Sequence, residues 1–236
     1  MTNQHDESDR SGGLVVAAGL GAIVAAAAVW RALRRATADR ELIPVGRALI
    51  TGASSGIGEA YARRLAADGY DLTLVARREE RLRDLADELM ATHGIRVDVL
   101  AADLARDEDI IRVAQAIEGM GDLTLLINNA GFGTRGTFAD VPMARHLDMI
   151  RVHDAASVAL SWAAAPRLVA RGGGAIINVS SVAAFFPSGG SVVYTASKVF
   201  LNNFSEALAG ELYGSGVKVQ ALCPGFTYSE FHETPE

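Results

Sequence analysis

Six short apolar runs recur along this chain, and each is followed by a stretch long enough for a helix. The runs are RALIT (47–51), DLTLVA (71–76), RVDVLA (96–101), LTLLIN (123–128), AIINVS (175–180) and VKVQAL (217–222). Helical patterning fills 56–68, 79–92, 107–118, roughly 142–170 and 194–213. Strands apolar on both faces belong in a parallel sheet covered by helices on each side. Right-handed crossovers then wind those helices onto both faces, which predicts a doubly wound α/β domain with strand order 3-2-1-4-5-6. A chain of 236 residues has room for one such domain with a large core.

The first run leads straight into Thr51-Gly52-Ala53-Ser54-Ser55-Gly56-Ile57-Gly58, and a helical pattern follows. This strand–turn–helix order suits a dinucleotide. Glycines let the backbone turn tightly beside a pyrophosphate, and the helix N-terminus offers free N–H groups and positive potential. The expected fold is therefore a Rossmann domain over 46–236.

Composition narrows the function. The net charge is −6 and no basic stripe offsets it, which argues against nucleic-acid binding. Cys223 is the single cysteine, so an intrachain disulfide is excluded, and a reduced cytosolic setting fits. No Cys/His cluster has zinc spacing, and no metal is expected.

Residues 1–40 differ from the rest. Residues 11–30 carry no charge, and Arg31, Arg34, Arg35 and Arg40 follow. A helix of that length spans about 30 Å, the hydrocarbon thickness of a bilayer. The segment thus reads as a candidate transmembrane helix, with the basic flank placing the following domain in the cytoplasm. Two other readings stand beside it. One is a signal peptide, although the preceding flank is acidic. The other is an Ala- and Gly-rich helix packed on protein, which would leave the chain soluble and cytoplasmic.

Further along, Asn128-Asn129-Ala130-Gly131 closes the fourth strand. Tyr194 and Lys198 share one helix face four residues apart, and Ser181 lies thirteen residues before the tyrosine. A nearby ammonium favours a phenolate and should lower the phenol from its usual value of about 10, making it a usable acid/base. Together with the Thr-Gly-x-x-x-Gly-x-Gly turn and Pro224-Gly225 after the sixth strand, these motifs resemble the short-chain dehydrogenase/reductase family over about 46–232.

The resemblance implies hydride transfer between a nicotinamide cofactor and a small-molecule carbonyl or alcohol. Tyr194 is then the general acid/base, Lys198 holds the nicotinamide ribose, and Ser181 orients the substrate oxygen, with Ser180 as the neighbouring candidate. Ser54, Ser55 and Ile57 would line the phosphate turn. Asn129, Ala130 and Gly131 would line the pocket. Asp103 and Leu104 would meet the adenine, although Asp103 also reads as a helix N-cap. Thr227 or Ser229 would touch the carboxamide. Ala76 stands where an NAD enzyme carries an acid, and Arg77 and Arg78 follow, so NADP(H) is expected over NAD(H). A membrane-attached enzyme would meet apolar, lipid-like substrates, and the family resemblance allows a homodimer through 142–170 and 194–213.

Two departures from the family stand out. His153 occupies the place of an asparagine that takes part in a proton relay, and it reads equally as a relay or as a packed residue. The chain also ends at Glu236, before the expected seventh strand. Both departures motivate a second reading, a non-catalytic or truncated cofactor-binding module.

Overall fold

The computed structural model describes residues 43–134 and 136–227. The segment 11–30 lies outside them, as do Tyr228 and Ser229. Among the described residues, no helix is long and apolar enough to cross a membrane.

Six parallel strands form one sheet, in the order β3-β2-β1-β4-β5-β6. They are β1 (Arg47–Thr51), β2 (Asp71–Ala76), β3 (Val97–Ala101), β4 (Leu123–Asn128), β5 (Gly174–Val179) and β6 (Val217–Leu222). This is the doubly wound Rossmann order the sequence predicts. The crossover helices are α1 (Gly56–Ala67), α2 (Glu79–His93), α3 (Asp107–Glu118), α4 (Met143–Ile150), α5 (Ala156–Arg171) and α6 (Val192–Glu211).

The alternation of side chains along each strand builds two cores from the same runs. Ala48 and Ile50 of β1, Leu72 and Leu74 of β2, and Leu125 and Ile127 of β4 face α1 and α2, packing on Ala62, Leu65, Leu82 and Leu89. Leu49, Val75, Leu123 and Leu126 face the other way, onto Val113 and Ile117 of α3 and Leu160, Ala164 and Leu168 of α5. On these central strands neither face is left to solvent, which is why their runs are largely apolar, whereas the edge strands β3 and β6 expose Asp98, Lys218 and Gln220.

Three elements differ from the sequence expectation. The helix expected over 142–170 is interrupted by a π-helical turn, Arg151–Ala155, between α4 and α5. A short 3-10 helix, Val182–Phe185, follows β5, and Ser181 caps it by accepting a hydrogen bond from the Ala183 N–H at 3.1 Å. Helix α6 also begins two residues early, so Tyr194 sits inside its first turn.

At the far end of the sheet from these turns, Arg47 is 8% exposed. Its guanidinium pairs with Asp122 and Asp98 and donates to the Leu72 carbonyl and the Thr73 hydroxyl, tying the N-terminal ends of four strands together. Both aspartates are largely open to water, so they can resolvate when the arginine is removed. Arg47→Met should therefore cost about 2 kcal/mol, or about 5 °C in Tm, in thermal unfolding. An unchanged Tm would show that the pairs contribute nothing.

Candidate active site

Every loop leaving the carboxyl ends of the strands opens onto one cavity of about 820 Å³. That is the expected place for a ligand in a doubly wound sheet, and the volume lies within the range of small-molecule sites.

The glycine-rich turn forms one end. Gly52 has φ +66 and Gly56 φ +57, values that glycine adopts without strain. Gly58 is required for another reason: a Cβ there would lie 2.3 Å from the Gly52 carbonyl oxygen and 2.6 Å from Asn129 Nδ2. The side chain of Ser55 makes no capping bond to α1, so it leaves the first N–H groups of that helix uncapped.

Arg77 is exposed, lines the cavity and makes no ion pair among the described residues. Arg78 reaches across to the turn, donating to the hydroxyls of Ser54 at 3.0 Å and Ser55 at 2.8 Å. Two guanidinium groups beside uncapped helix N–H groups, with Ala76 in place of an acid, form a donor set that fits a phosphorylated dinucleotide.

Asn129 holds the turn against β4. Its Nδ2 donates to the Thr51 carbonyl at 2.9 Å, and the Asn129 and Ala130 N–H groups both donate to Thr51 Oγ1. Asn128 works one layer deeper, donating to Asn178 Oδ1 of β5 at 2.8 Å and to Ser161 Oγ of α5 at 3.2 Å. Gly131 must lack a side chain because a Cβ would lie 2.9 Å from His153 Nε2.

Asp103 and Leu104 line the cavity. Asp103 does not cap α3: that position belongs to Arg106, and Asp103 instead accepts from the Ala105 N–H while its own N–H donates to Asp109. Ile57, Pro224, Gly225 and Thr227 also line the cavity.

At the other end, the side chains of Tyr194 and Ser181 meet on the cavity wall, and the serine hydroxyl favours the ionised phenol. Ser180 points elsewhere: it is buried and donates to the Lys198 carbonyl at 2.8 Å. Of the two serines, Ser181 is thus the one that meets the phenol.

Lys198 is 4% exposed, and its ammonium donates to the Val179 carbonyl at 2.9 Å. The same Nζ lies 5.6 Å from the centroid of the Tyr194 ring. Burial lowers Lys198 to about 8, against the neighbouring charges of Asp154 and Cys223. Burial also raises Tyr194 above its ordinary value, with the Ser181 hydrogen bond opposing. The expected lowering of the phenol by Lys198 is therefore not what this geometry produces. The amine is engaged by a carbonyl, and desolvation outweighs it.

His153 is buried between the loop after β4 and helix α6. It is 1% exposed. Its Nε2 accepts the Phe132 N–H at 3.0 Å, and its Nδ1 lies 2.8 Å from Ser197 Oγ, which itself donates to the Tyr194 carbonyl. An Nε2 that accepts a backbone N–H has its lone pair committed, so the proton sits on Nδ1 and points at Ser197. Burial, then the charge of Lys198, holds the ring well below the ordinary histidine range. Both nitrogens are occupied and the ring is neutral, an arrangement that fits the packed reading. His153 joins the strand-four loop to the tyrosine helix. Ser197 was missed in the sequence because a serine between the motif residues gives no periodic signal.

A family model described as short chain dehydrogenase matches residues 47–235. The chain belongs to the short-chain dehydrogenase family. It is 41% identical to sulfoacetaldehyde reductase 2 of Chromohalobacter salexigens, over 78% of this chain and 73% of that protein. It is 38% identical to a very-long-chain 3-oxoacyl-CoA reductase of Pyrenophora tritici-repentis, over 74% of this chain. The chain spans 60% and 53% of the length of two of the curated relatives it matches. A solved short-chain dehydrogenase from Sphingobium yanoikuyae in complex with NADPH superposes with a TM-score of 0.77 at 41% identity, covering 79% of this chain and 74% of that one.

The buried lysine makes stability depend on pH in a defined direction. Its folded value, about 8, lies below the ordinary lysine value. Between the two, the unfolded chain holds a proton that the folded chain has released, so stability rises with pH. Wild-type Tm should rise relative to Lys198→Met as pH goes from about 8 to 10. Parallel curves for the two proteins would contradict this.

Proposed function

We propose that this protein is an NADP(H)-dependent oxidoreductase that interconverts a carbonyl and an alcohol, with Tyr194 as general acid/base. The observation that carries the reading is that Ser181, Tyr194 and Lys198 share the wall of a cavity whose other end is the glycine-rich turn. Family membership and the NADPH complex of a related structure support it.

The uncapped N–H groups of α1 with Ser54 and Ser55 would hold the pyrophosphate. Arg77 and Arg78 would take the ribose phosphate. Asp103 and Leu104 would bound the adenine, and Asn129, Ala130 and Gly131 the middle of the cofactor. Lys198 would hold the nicotinamide ribose, and Pro224, Gly225 and Thr227 the carboxamide. The cofactor, when bound, supplies or accepts the hydride.

In reduction, the Tyr194 hydroxyl gives its proton to the substrate oxygen, and the Ser181 hydroxyl donates a hydrogen bond to that same oxygen as charge develops. Lys198, its ammonium bound to the Val179 carbonyl, would hold the ribose beside the phenol. In oxidation the same groups run in reverse. His153 takes no proton and only positions the helix.

Phe186, Phe226 and Val182 are exposed at the cavity wall, which supports a substrate with an apolar body. Leu147, Ile150, Val158 and Trp162 on α4 and α5, with Val199 and Phe200 on α6, are exposed apolar residues, and this supports a homodimer through these helices. Attachment of the full chain to a membrane through residues 11–30 remains part of the proposal. Recovery in the carbonate-resistant pellet is the expected result, and quantitative recovery in the supernatant would refute it.

Tyr194→Phe should bind NADPH as wild type does and lose at least about 100-fold in kcat on a panel of bulky ketones and aldehydes. Turnover at the wild-type rate would remove Tyr194 from the mechanism. Arg77→Ala should weaken NADPH binding about 10-fold or more while leaving NADH binding nearly unchanged. Equal losses for both cofactors would overturn the NADP(H) assignment.

A further inference from the structure

The mechanism leaves one shielded carboxylate unused. Asp154 lies on the π-turn, and its Oδ1 is buried with no hydrogen-bond partner among the described residues. A shielded carboxylate oxygen without a donor is unfavourable, and a structure retains one where a nearby charge offsets the cost. Its neighbour His153 bonds Ser197 of α6 at 2.8 Å, which brings the π-turn onto that helix. The next residue on the helix is Lys198. The carboxylate of Asp154 and the ammonium of Lys198 each act on the other as an opposing charge.

Lys198 needs such a partner. Its ammonium has three donors, and its hydrogen bond goes to the neutral Val179 carbonyl. Among the described residues, the groups that act on it are Tyr194 on its own helix, Cys223 after β6, the neutral ring of His153, and Asp154 from the π-turn.

We propose that Asp154 is the positioning residue that keeps Lys198 charged, acting across from the π-turn without touching cofactor or substrate. The proposal deepens the functional reading above, since Lys198 is the residue assigned there to the ribose. It gives the π-turn a purpose: two adjacent residues of one wide turn act on α6, His153 by setting the position of the helix and Asp154 by the charge it sets against the lysine. Burial raises Asp154 to about 6, so the carboxylate is ionised near neutrality and lost in mild acid.

The chain has only two lysines, Lys198 and the exposed Lys218 on β6, so each can be followed separately in the full chain labelled with ε-13C lysine. The NMR titration needs no cofactor or substrate, so it reads Asp154 even if the protein proves to have no reductase activity. In wild type the Lys198 signal should titrate near 8, with a smaller inflection near 6 as Asp154 takes up its proton. Asp154→Asn should lower the Lys198 midpoint by about one unit and abolish the lower inflection, while Asp154→Glu preserves both. Lys218 should stay put in every variant. An unchanged Lys198 midpoint in Asp154→Asn, or an equal shift in Asp154→Glu, would overturn the proposal. The wild-type curve is a separate check if a variant fails to fold: a Lys198 signal flat between pH 5 and 7 would also refute it.

Discussion

The fold depends on one close approach, where the turn after β1 meets the end of β4. Thr51 presents its hydroxyl to two successive backbone N–H groups, and Asn129 returns its amide to the carbonyls of Thr51 and Gly52. Nothing larger than hydrogen fits at Gly52 or Gly58 without meeting Asn129 or its neighbours. The crevice at the strand ends is therefore a consequence of how tightly two loops can pack. Because β1 and β4 are where the strand order reverses, this is also where helices leave on opposite faces and a long ligand can lie between them.

From that point a column of polar side chains runs under the site. Asn128, Asn178, Ser161 and Ser205 bond one another between β4, β5, α5 and α6, and Ser180 bonds the backbone of α6 at Lys198. Buried polar groups are costly unless paired, so this column fixes the position of α6 more narrowly than apolar packing would. Tyr194 and Lys198 take their places from it. His153 and Ser197 add a second tie to the same helix from the side of the strand-four loop.

Much of this was legible in the sequence, and the reasons are physical. The apolar runs give the strands because side chains alternate between two cores, and the glycines mark the turn because only they fit. Tyr194, Lys198 and Ser181 are brought together as their spacing implies. What could not be read has no periodic trace. A π-turn adds a residue without altering the apolar pattern of the helix around it, so 142–170 looks continuous. The orientation of the His153 ring depends on the Phe132 N–H and on Gly131, contacts set by the fold and not by neighbours in the chain. The sign of the shift at Tyr194 depends on burial, which a four-residue spacing cannot report.

The groups assigned to the chemistry and those proposed to face the substrate are built differently, which lets one framework serve relatives with unlike names. Tyr194 and Lys198 stand on a helix held by the buried polar column, and Asn129 and the glycines stand on tightly packed turns. Moving any of them disturbs the core. Phe186 and Phe226 stand on loops after β5 and β6, exposed and with few constraints on replacement. The relatives named for sulfoacetaldehyde and for very-long-chain 3-oxoacyl-CoA share the framework at 41% and 38% identity. Substrate identity must therefore be sought in these loops, where side chains change without cost to the sheet, and not in the motifs that define the family.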